Sequence, residues 1–445
     1  MDKLVLVHLS DIHFTRASGV SVHDLDKNVR NELVLDATKV AKEIGPVTGV
    51  LVTGDIAFSG TKGEFDNATD WLRDFCRTIG CPAENVWVVP GNHDVDRERT
   101  KRKVTRTLHQ GIRKEGSDVD KELREILSDA QSAVALLDPL AEYNTFAGRF
   151  GCSISAKKHY WERDIKLACG TVIRLRGLTS ALVSNEEDKR TGIVLGLAQA
   201  SIERAPGVLH MSLCHHPPDW LRDNDVVEDH LNSKVHIRLF GHKHSQRLDV
   251  INGKVRLVAG AMHPERGESW LPTYNFLEIS RRCSDTIGLR VYQRRWNQAE
   301  TNFVAWRDPN DGKEHREFVW SEFPVATMPD PHGAVSSKAN AVEKIASIAS
   351  PKMAHRATEK DDAMPPPNYE RRLTYRFLTL PFRHQIAITN SLNVLTDEDR
   401  ALSDEALFRE LFKRAAANNL LGKLWDETEK RHADPASFNP FDSSK

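Results

Sequence analysis

Pro90-Gly91-Asn92-His93-Asp94 follows the apolar run Val86-Trp87-Val88-Val89. The run reads as a buried parallel strand, and the Pro-Gly pair stops it. A loop at the carboxyl end of a strand therefore presents an amide, an imidazole and a carboxylate in consecutive positions. In open α/β sheets that edge is where ligands bind. The amide oxygen suits a hard metal, the imidazole suits proton transfer, and the carboxylate can orient the ring. Four residues alone decide little, so the question is what other strand ends carry.

Upstream, Leu4-Val5-Leu6-Val7-His8-Leu9 has the continuous apolar character of a central strand and ends at Ser10-Asp11-Ile12-His13. Residues two apart on an extended chain point the same way, so Asp11 and His13 can grip one ion. Alone, such a pair is more often a solvated loop. Asn28 to Ile44 has helical spacing through Val29, Leu33, Leu35, Val40 and Ile44, and Gly45-Pro46 stops it. Val50-Leu51-Val52-Thr53 is a second strand, ending at Gly54-Asp55. The glycine would let backbone approach an ion closely. Residues 64–79 form another amphipathic helix before the third strand. The order β-α-β-α-β implies a parallel sheet with right-handed crossovers.

Downstream, residues 97–114 hold eight Lys/Arg and one acid over a stripe of Val104, Leu108 and Ile112. A helix from Val119 to Ala141 follows, giving an αα-hairpin inserted over about 97–141. The basic run reads either as a solvated helix face or as a phosphate-tracking surface through residues such as Lys101, Arg102 and Lys103. Strands are expected at 159–162 and 171–175, and a short helix at 197–204. Val208 to Cys214 is a strand ending at His215-His216-Pro217-Pro218, and Val235 to Phe240 is one ending at Gly241-His242-Lys243-His244. Antiparallel strands are expected next at 247–251, 255–259, 274–280 and 287–294, the first pair joined by the hairpin signal Asn252-Gly253.

The ordered set D-x-H, G-D, G-N-H-D, H and G-H-x-H resembles the calcineurin-like metallophosphoesterase superfamily over residues 4–280. The resemblance implies a four-layer α/β-sandwich fold with two divalent metal ions, Mn, Fe or Zn by the mixed N/O ligation. It implies that Asp11, His13 and His244 hold one ion, that Asn92, His215 and His242 hold the other, and that Asp55 bridges them. His215 is chosen over His216 because the family's ligand is the first histidine after the strand. His216 stays a candidate substrate contact or a structural residue. His93 matches the proton-transfer histidine, with Asp94 expected to hold its tautomer. The chemistry implied is an in-line displacement at phosphorus.

Length and composition frame this reading. A chain of 445 residues, 40% apolar and 28% charged, is globular and suggests two or three domains. Lys plus Arg (62) balances Asp plus Glu (63), so no global field selects nucleic acid or an acidic membrane. The six cysteines form no C-x-x-C pair, which excludes a zinc knuckle and fits a reducing compartment. No apolar run reaches 18 residues, and the first strand is too short for a signal peptide, so a cytoplasmic protein without membrane contact is expected.

The expected domains are a catalytic domain over 1–324, a proline-rich linker over 325–368 with one weak helix at 339–349, and a small all-α bundle over 369–432. Tryptophans 296, 306 and 320 suggest that 296–323 packs on the catalytic domain. Within the bundle, Thr396-Asp397-Glu398-Asp399 suggests a capping box. The bundle, through Arg376-Phe377, Leu380-Pro381-Phe382, Ile386-Ala387 and Leu424-Trp425, resembles the effector-associated, death-like domains of bacterial conflict systems. That implies homotypic contacts, a homo-oligomer and a role in antiviral defence. The alternative is a plain bundle packed back on the catalytic domain.

Three functions follow: a phosphodiesterase or nuclease acting on nucleic acid or a nucleotide, a cyclic-nucleotide phosphodiesterase or small-molecule phosphatase, and a non-catalytic metal-binding adaptor.

Overall fold

The computed structural model describes residues 3–16, 26–114, 118–262, 271–283, 285–309, 311–321, 382–396 and 404–432, with a few flanking positions and gaps of one or two residues. The chain divides into two units, Met1–Val335 and Ser336–Lys445. The expected linker and its weak helix lie outside the described residues.

In the first unit the strands are β1 (Lys3–Leu9), β2 (Gly49–Thr53), β3 (Val86–Val89), β4 (Tyr160–Lys166), β5 (Val172–Leu178), β6 (Val208–Cys214), β7 (Ile237–Phe240), β8 (Arg247–Ile251), β9 (Lys254–Val258), β10 (Thr273–Cys283), β11 (Thr286–Asn297), β12 (Asn302–Ala305) and β13 (Arg316–Trp320). The helices are α1 (Lys27–Ile44), α2 (Lys62–Ile79), α3 (Arg97–Thr100), α4 (Lys103–Arg113), α5 (Val119–Ser128), α6 (Ala130–Leu137), α7 (Ala141–Gly148), α8 (Leu197–Ala200) and α9 (Asn224–Lys234).

Two sheets form. The first runs β12-β11-β10-β1-β2-β3, with β13 also on β11. The second runs β4-β5-β6-β7-β9-β8. β1, β2 and β3 are parallel, as are β5, β6, β7 and β9. Inner side chains of both sheets, such as Leu6, Val52, Val88, Leu213 and Leu239, share one buried core. A second core, with Leu178, Cys214 and Phe240, packs under Val227 and Leu231 of α9. The sandwich of two sheets with helices outside is the expected fold. Two hydrogen bonds stitch it: Trp161 Nε1 on β4 and the Tyr143 hydroxyl on α7 both donate to the Val88 carbonyl on β3 (2.8 and 3.2 Å).

Several local expectations change. The inserted hairpin is present but in shorter pieces, because Asp129 accepts from the Ser132 N–H and starts a new helix inside the expected one. Ile112 of the expected stripe is buried, but Val104 is 61% exposed, and Thr105 and His109 are buried in its stead. Leu35 is likewise exposed on α1. The helix expected over 197–204 is only the four residues of α8. After β7 the chain is not simply antiparallel: β8 passes to the edge and β9 returns to pair parallel with β7. Asn252 and Gly253 both take positive φ, as the expected two-residue hairpin requires. The tryptophan-bearing segment supplies β12 and β13, which extend the first sheet beside β11.

In the second unit, α10 (Phe382–Leu392), α11 (Asp404–Ala417) and α12 (Leu421–Glu429) enclose their own core of Leu373, Phe377, Ile388, Leu411, Leu424 and Trp425. Thr396 and Asp399 exchange the hydrogen bonds of a capping box. Arg376 and Glu429 form a two-pronged ion pair between the first and last segments.

Candidate metal centre

All the motif residues sit just past the carboxyl ends of β1, β2, β3, β6 and β7. The backbone there is unusual. Asp11, His13, Asp55, His242 and His244 all have φ between 52° and 69°. This left-handed region is rare for non-glycine residues and costs energy that surrounding structure must hold. Neighbouring strands supply that hold: Asp11 N–H donates to the Gly54 carbonyl and His13 N–H to the Asp55 carbonyl, both at 3.0 Å. The two sheets also meet here, since His242 N–H donates to Asp11 Oδ2 (3.1 Å) and His215 Nδ1 to the Thr53 carbonyl (2.8 Å).

Glycines at the junctions are there for space. A Cβ on Gly91 would lie 2.1 Å from Asp55 Oδ1, and one on Gly241 would lie 2.1 Å from Ser10 Oγ.

The donors gather in two groups around Asp55. In one, Asn92 Oδ1 is 3.1 Å from both His215 Nε2 and His242 Nδ1, those two nitrogens are 3.3 Å apart, and Asp55 Oδ2 is 3.2 Å from His215 Nε2. In the other, His244 Nε2 lies 3.3 Å from Asp11 Oδ1 and His13 Nε2 lies 3.9 Å from Asp55 Oδ2. Donor atoms of Asp11, His13 and His244 all lie within 4.8 Å of one another. Ligands held at roughly 2.1 Å from one ion are spaced about 3.0–3.4 Å apart. The first group already has that spacing, with oxygen and nitrogen lone pairs facing one another. This donor set fits two divalent cations sharing Asp55.

The electrostatics agree. Burial would raise the Asp55 carboxyl, but His215, His93 and His13 outweigh it and hold it well below the carboxylate range. Burial would likewise lower His215, yet Asp55 and Asp11 carry it up to about 9.

His215, the expected ligand of the histidine pair, faces this group. His216 points its Nδ1 to Ser180 Oγ (2.8 Å) and is fully buried, which gives it a positioning contact. Asp94 departs from expectation. Its two oxygens accept the backbone N–H of Ala57 (2.8 Å) and Gly91 (2.9 Å), so it fixes the loop. The His93 tautomer is set by the Phe58 carbonyl, 2.8 Å from Nδ1. A carbonyl only accepts, so this shorter contact takes a proton on Nδ1 and leaves Nε2 for chemistry, and the Arg97 guanidinium, itself only a donor, lies beside Nδ1 (3.2 Å) without a hydrogen bond to it. His93 N–H also donates to Asp55 Oδ1 (2.8 Å).

The basic run is partly neutralised. Lys101 pairs with Glu98 and Glu186, and Arg102 with Asp138. Lys103 is exposed on α4. Sequence reasoning missed Phe58, Ser180 and Trp220, whose ring lies 4.0 Å from that of His242. Phe58 acts through its carbonyl and Ser180 is 36 residues from its partner, so neither leaves a local signal.

A carboxylate shared by two imidazole-rich groups, at the joint of a double-sheet α/β frame, defines a dinuclear metal-binding class. Within that class, residues 4–246 match the calcineurin-like phosphoesterase family, and the chain belongs to it. Residues 369–430 match the GTPase-associated adaptor domain. Over 99 residues the chain is 30% identical to the uncharacterized metallophosphoesterase-like protein YydB of Bacillus subtilis (strain 168), covering 22% of this chain and 19% of that protein. The chain thus spans about a fifth of the length of this relative. Similar solved structures include GAP50, the anchor in the inner membrane complex of Plasmodium (9% identity, 72% of this chain and 89% of that one, TM-score 0.37). Another is zinc-complexed Vps29 of Entamoeba histolytica (14% identity, 72% and 99%, TM-score 0.28).

Proposed function

We propose that the protein is a dinuclear-metal phosphodiesterase acting on a nucleotide or nucleic-acid diester. The observation that carries the choice of diester is the state of the cations at the site. Lys243, between the ligands His242 and His244, is turned to Asp219 (2.7 Å). Arg190 lies 3.8 Å from the same carboxylate, and Arg113 pairs with Asp188. Arg97, whose guanidinium is 3.2 Å from His93 Nδ1, has no acidic partner among the described residues. A phosphate monoester is close to doubly charged at neutral pH, whereas a diester carries one charge. One uncommitted cation beside the metal ligands suits the diester.

Asp11, His13, His244 and Asp55 would hold one cation, and Asn92, His215, His242 and Asp55 the other. When bound, the pair supplies Lewis acidity toward the phosphoryl oxygens. Everything else is the chain's work. The Phe58 carbonyl fixes the His93 ring through Nδ1–H, and in the imidazolium form a second proton on Nε2 would pass to the leaving oxygen, leaving the ring neutral. Asp94 keeps the Gly91 and Ala57 N–H groups satisfied, so the loop keeps its shape. His216, held by Ser180, packs behind His215 and His242.

The pairing of Lys101 and Arg102 argues for a short nucleotide diester over a long polymer tracked along α4. The adaptor-like C-terminal unit supports recruitment or clustering of the enzyme by another protein, a second copy included, as in a defence assembly.

The test compares bis-p-nitrophenyl phosphate with p-nitrophenyl phosphate after manganese, iron or zinc loading. Diester kcat/KM should exceed monoester kcat/KM by about tenfold or more, a difference of roughly 1.4 kcal/mol in the barrier. Preference for the monoester would overturn the reading.

A further inference from the structure

The second sheet has another end. The metal centre lies past the carboxyl ends of β6 and β7, while a cleft of about 530 Å³ lies at their amino ends. Its wall is made from the residues that start the parallel strands and from the end of α9. Arg204, Lys234, His210, His236, Lys254 and Phe323 line it. β6 runs from Val208 to Cys214, and a strand rises about 3.3 Å per residue. The cleft is therefore roughly 20 Å from His215 and belongs to no part of the site already described.

Its charge is one-sided. Arg204 donates to the Ser233 carbonyl, which brings no negative charge. Among the described residues no carboxylate pairs with Arg204, Lys234 or Lys254. The acids nearest His210, Glu162 and Asp164 on β4, are paired with Arg176 and Arg174. Burial first, then the charges of Arg204 and Arg238, lower Lys254, and burial, then Lys254, His210 and Arg204, take His236 down to about 4. A polar atom also waits in the wall. His210 is only 4% exposed, and its Nε2 is buried with no hydrogen-bond partner. Such a group is costly unless something meets it. His236 cannot, because its Nδ1 already accepts the His210 N–H (3.2 Å).

We propose that this cleft is a second ligand site, for a small polyphosphate, with Arg204, Lys234 and Lys254 as the charge partners and His210 Nε2 as a buried hydrogen-bonding group. Three cations on a concave wall match an ion of several negative charges better than a single phosphate. Ser321 and Phe323, just past β13, form one side of the cleft. Bound there, the ligand would tie β6, β7 and β9 together at the end opposite the metal ligands, so it is placed to act as an effector of the fold.

The experiment is calorimetric titration of the full-length protein with inorganic tripolyphosphate, without added metal. Binding should be one to one. Lys254→Ala and Arg204→Ala should each weaken it roughly ten- to hundredfold, the range for losing a charged hydrogen bond. Asp55→Asn should leave it intact. Lys254→Ala, being remote from the metal ligands, should also keep wild-type hydrolysis of bis-p-nitrophenyl phosphate. Loss of binding in Asp55→Asn with retention in Lys254→Ala would place the anion at the metal centre and overturn the proposal, as would no binding by the wild type. If a single-stranded RNA oligonucleotide binds through Arg204 and Lys254 while tripolyphosphate does not, the cleft is a polymer track and the proposal again fails. These readouts do not depend on which ester the metal centre hydrolyses.

Discussion

Asp55 and His93 share one loop contact but carry separable tasks. Asp55 faces both donor groups, so Asp55→Asn would remove the charge proposed to hold two cations together. Metal content should fall, and diester turnover should drop by roughly a hundredfold or more, read by elemental analysis and by kcat with manganese in excess. Full activity at limiting metal would break the assignment of a bridge. His93 donates its backbone N–H to Asp55 and packs its ring edge-on against that of His13 (4.6 Å between centroids) without being one of the proposed ligands, so His93→Ala should keep both metals. Its kcat should fall by roughly 10²–10⁴, most for substrates with poor leaving groups. Uniform loss across leaving groups would argue against proton donation. Asp94 behaves differently again: Asp94→Ala strands two buried N–H groups and should cost about 2–4 kcal/mol of stability, measured by urea denaturation.

At the scale of elements, the joint between the sheets rests on Trp161. Its indole lies against Gly177 of β5, where an added Cβ would meet the ring at 2.0–2.3 Å, and it donates to Val88 of the other sheet. Gly177→Ala should push the ring aside. The expected cost is about 2–4 kcal/mol, overpacking plus a lost buried hydrogen bond, visible as a lower urea midpoint with altered tryptophan fluorescence. An unchanged midpoint would show that the ring has room to move. The elements themselves were largely readable in the chain. β1, β2, β3 and β6 announce themselves as apolar runs, and α1 and α2 by spacing and by their stops. α4 to α7 were less so, because capping by Asp129 is as short-ranged as the apolar stripe it interrupts. β12 and β13 are only four and five residues long, and they become strands because β11 offers an edge.

For the whole molecule, buried neutral histidines set the response to acid. Burial lowers His8 to about 3, and His109, His210 and His236 to about 4. Their folded-state values lie below the ordinary 6.5, so the unfolded chain takes up protons first as pH falls. Their contribution is complete above that value and drains away between about 6.5 and 4. Each adds a slope of roughly 1.4 kcal/mol per pH unit within that window. Urea midpoints should therefore fall between pH 7.5 and 5 (about one unit above and 1.5 below the ordinary histidine value). His109→Gln should flatten the slope by up to one proton. A midpoint that holds steady to pH 5 would remove these residues from the account.

The sequence by itself determined the strand ends, the ligand types on them and their order, since apolar runs and stop signals are local and each metal motif spans only a few residues. It also marked out the C-terminal helices, whose apolar spacing is local too. Only the tertiary structure decided which group does what around those ligands. Ser180 holds Nδ1 of His216 across 36 residues of chain. Phe58 and not Asp94 sets the His93 tautomer, because Asp94 is spent on two backbone N–H groups. Within the basic run Lys101 and Arg102 are paired with Glu98, Glu186 and Asp138, and a cluster without acidic partners among the described residues emerged instead from Arg204, Lys234 and Lys254. Those outcomes depend on residues far apart in the chain meeting within a few ångströms, and a hydrogen bond or ion pair forms with whichever partner the packed fold brings within reach.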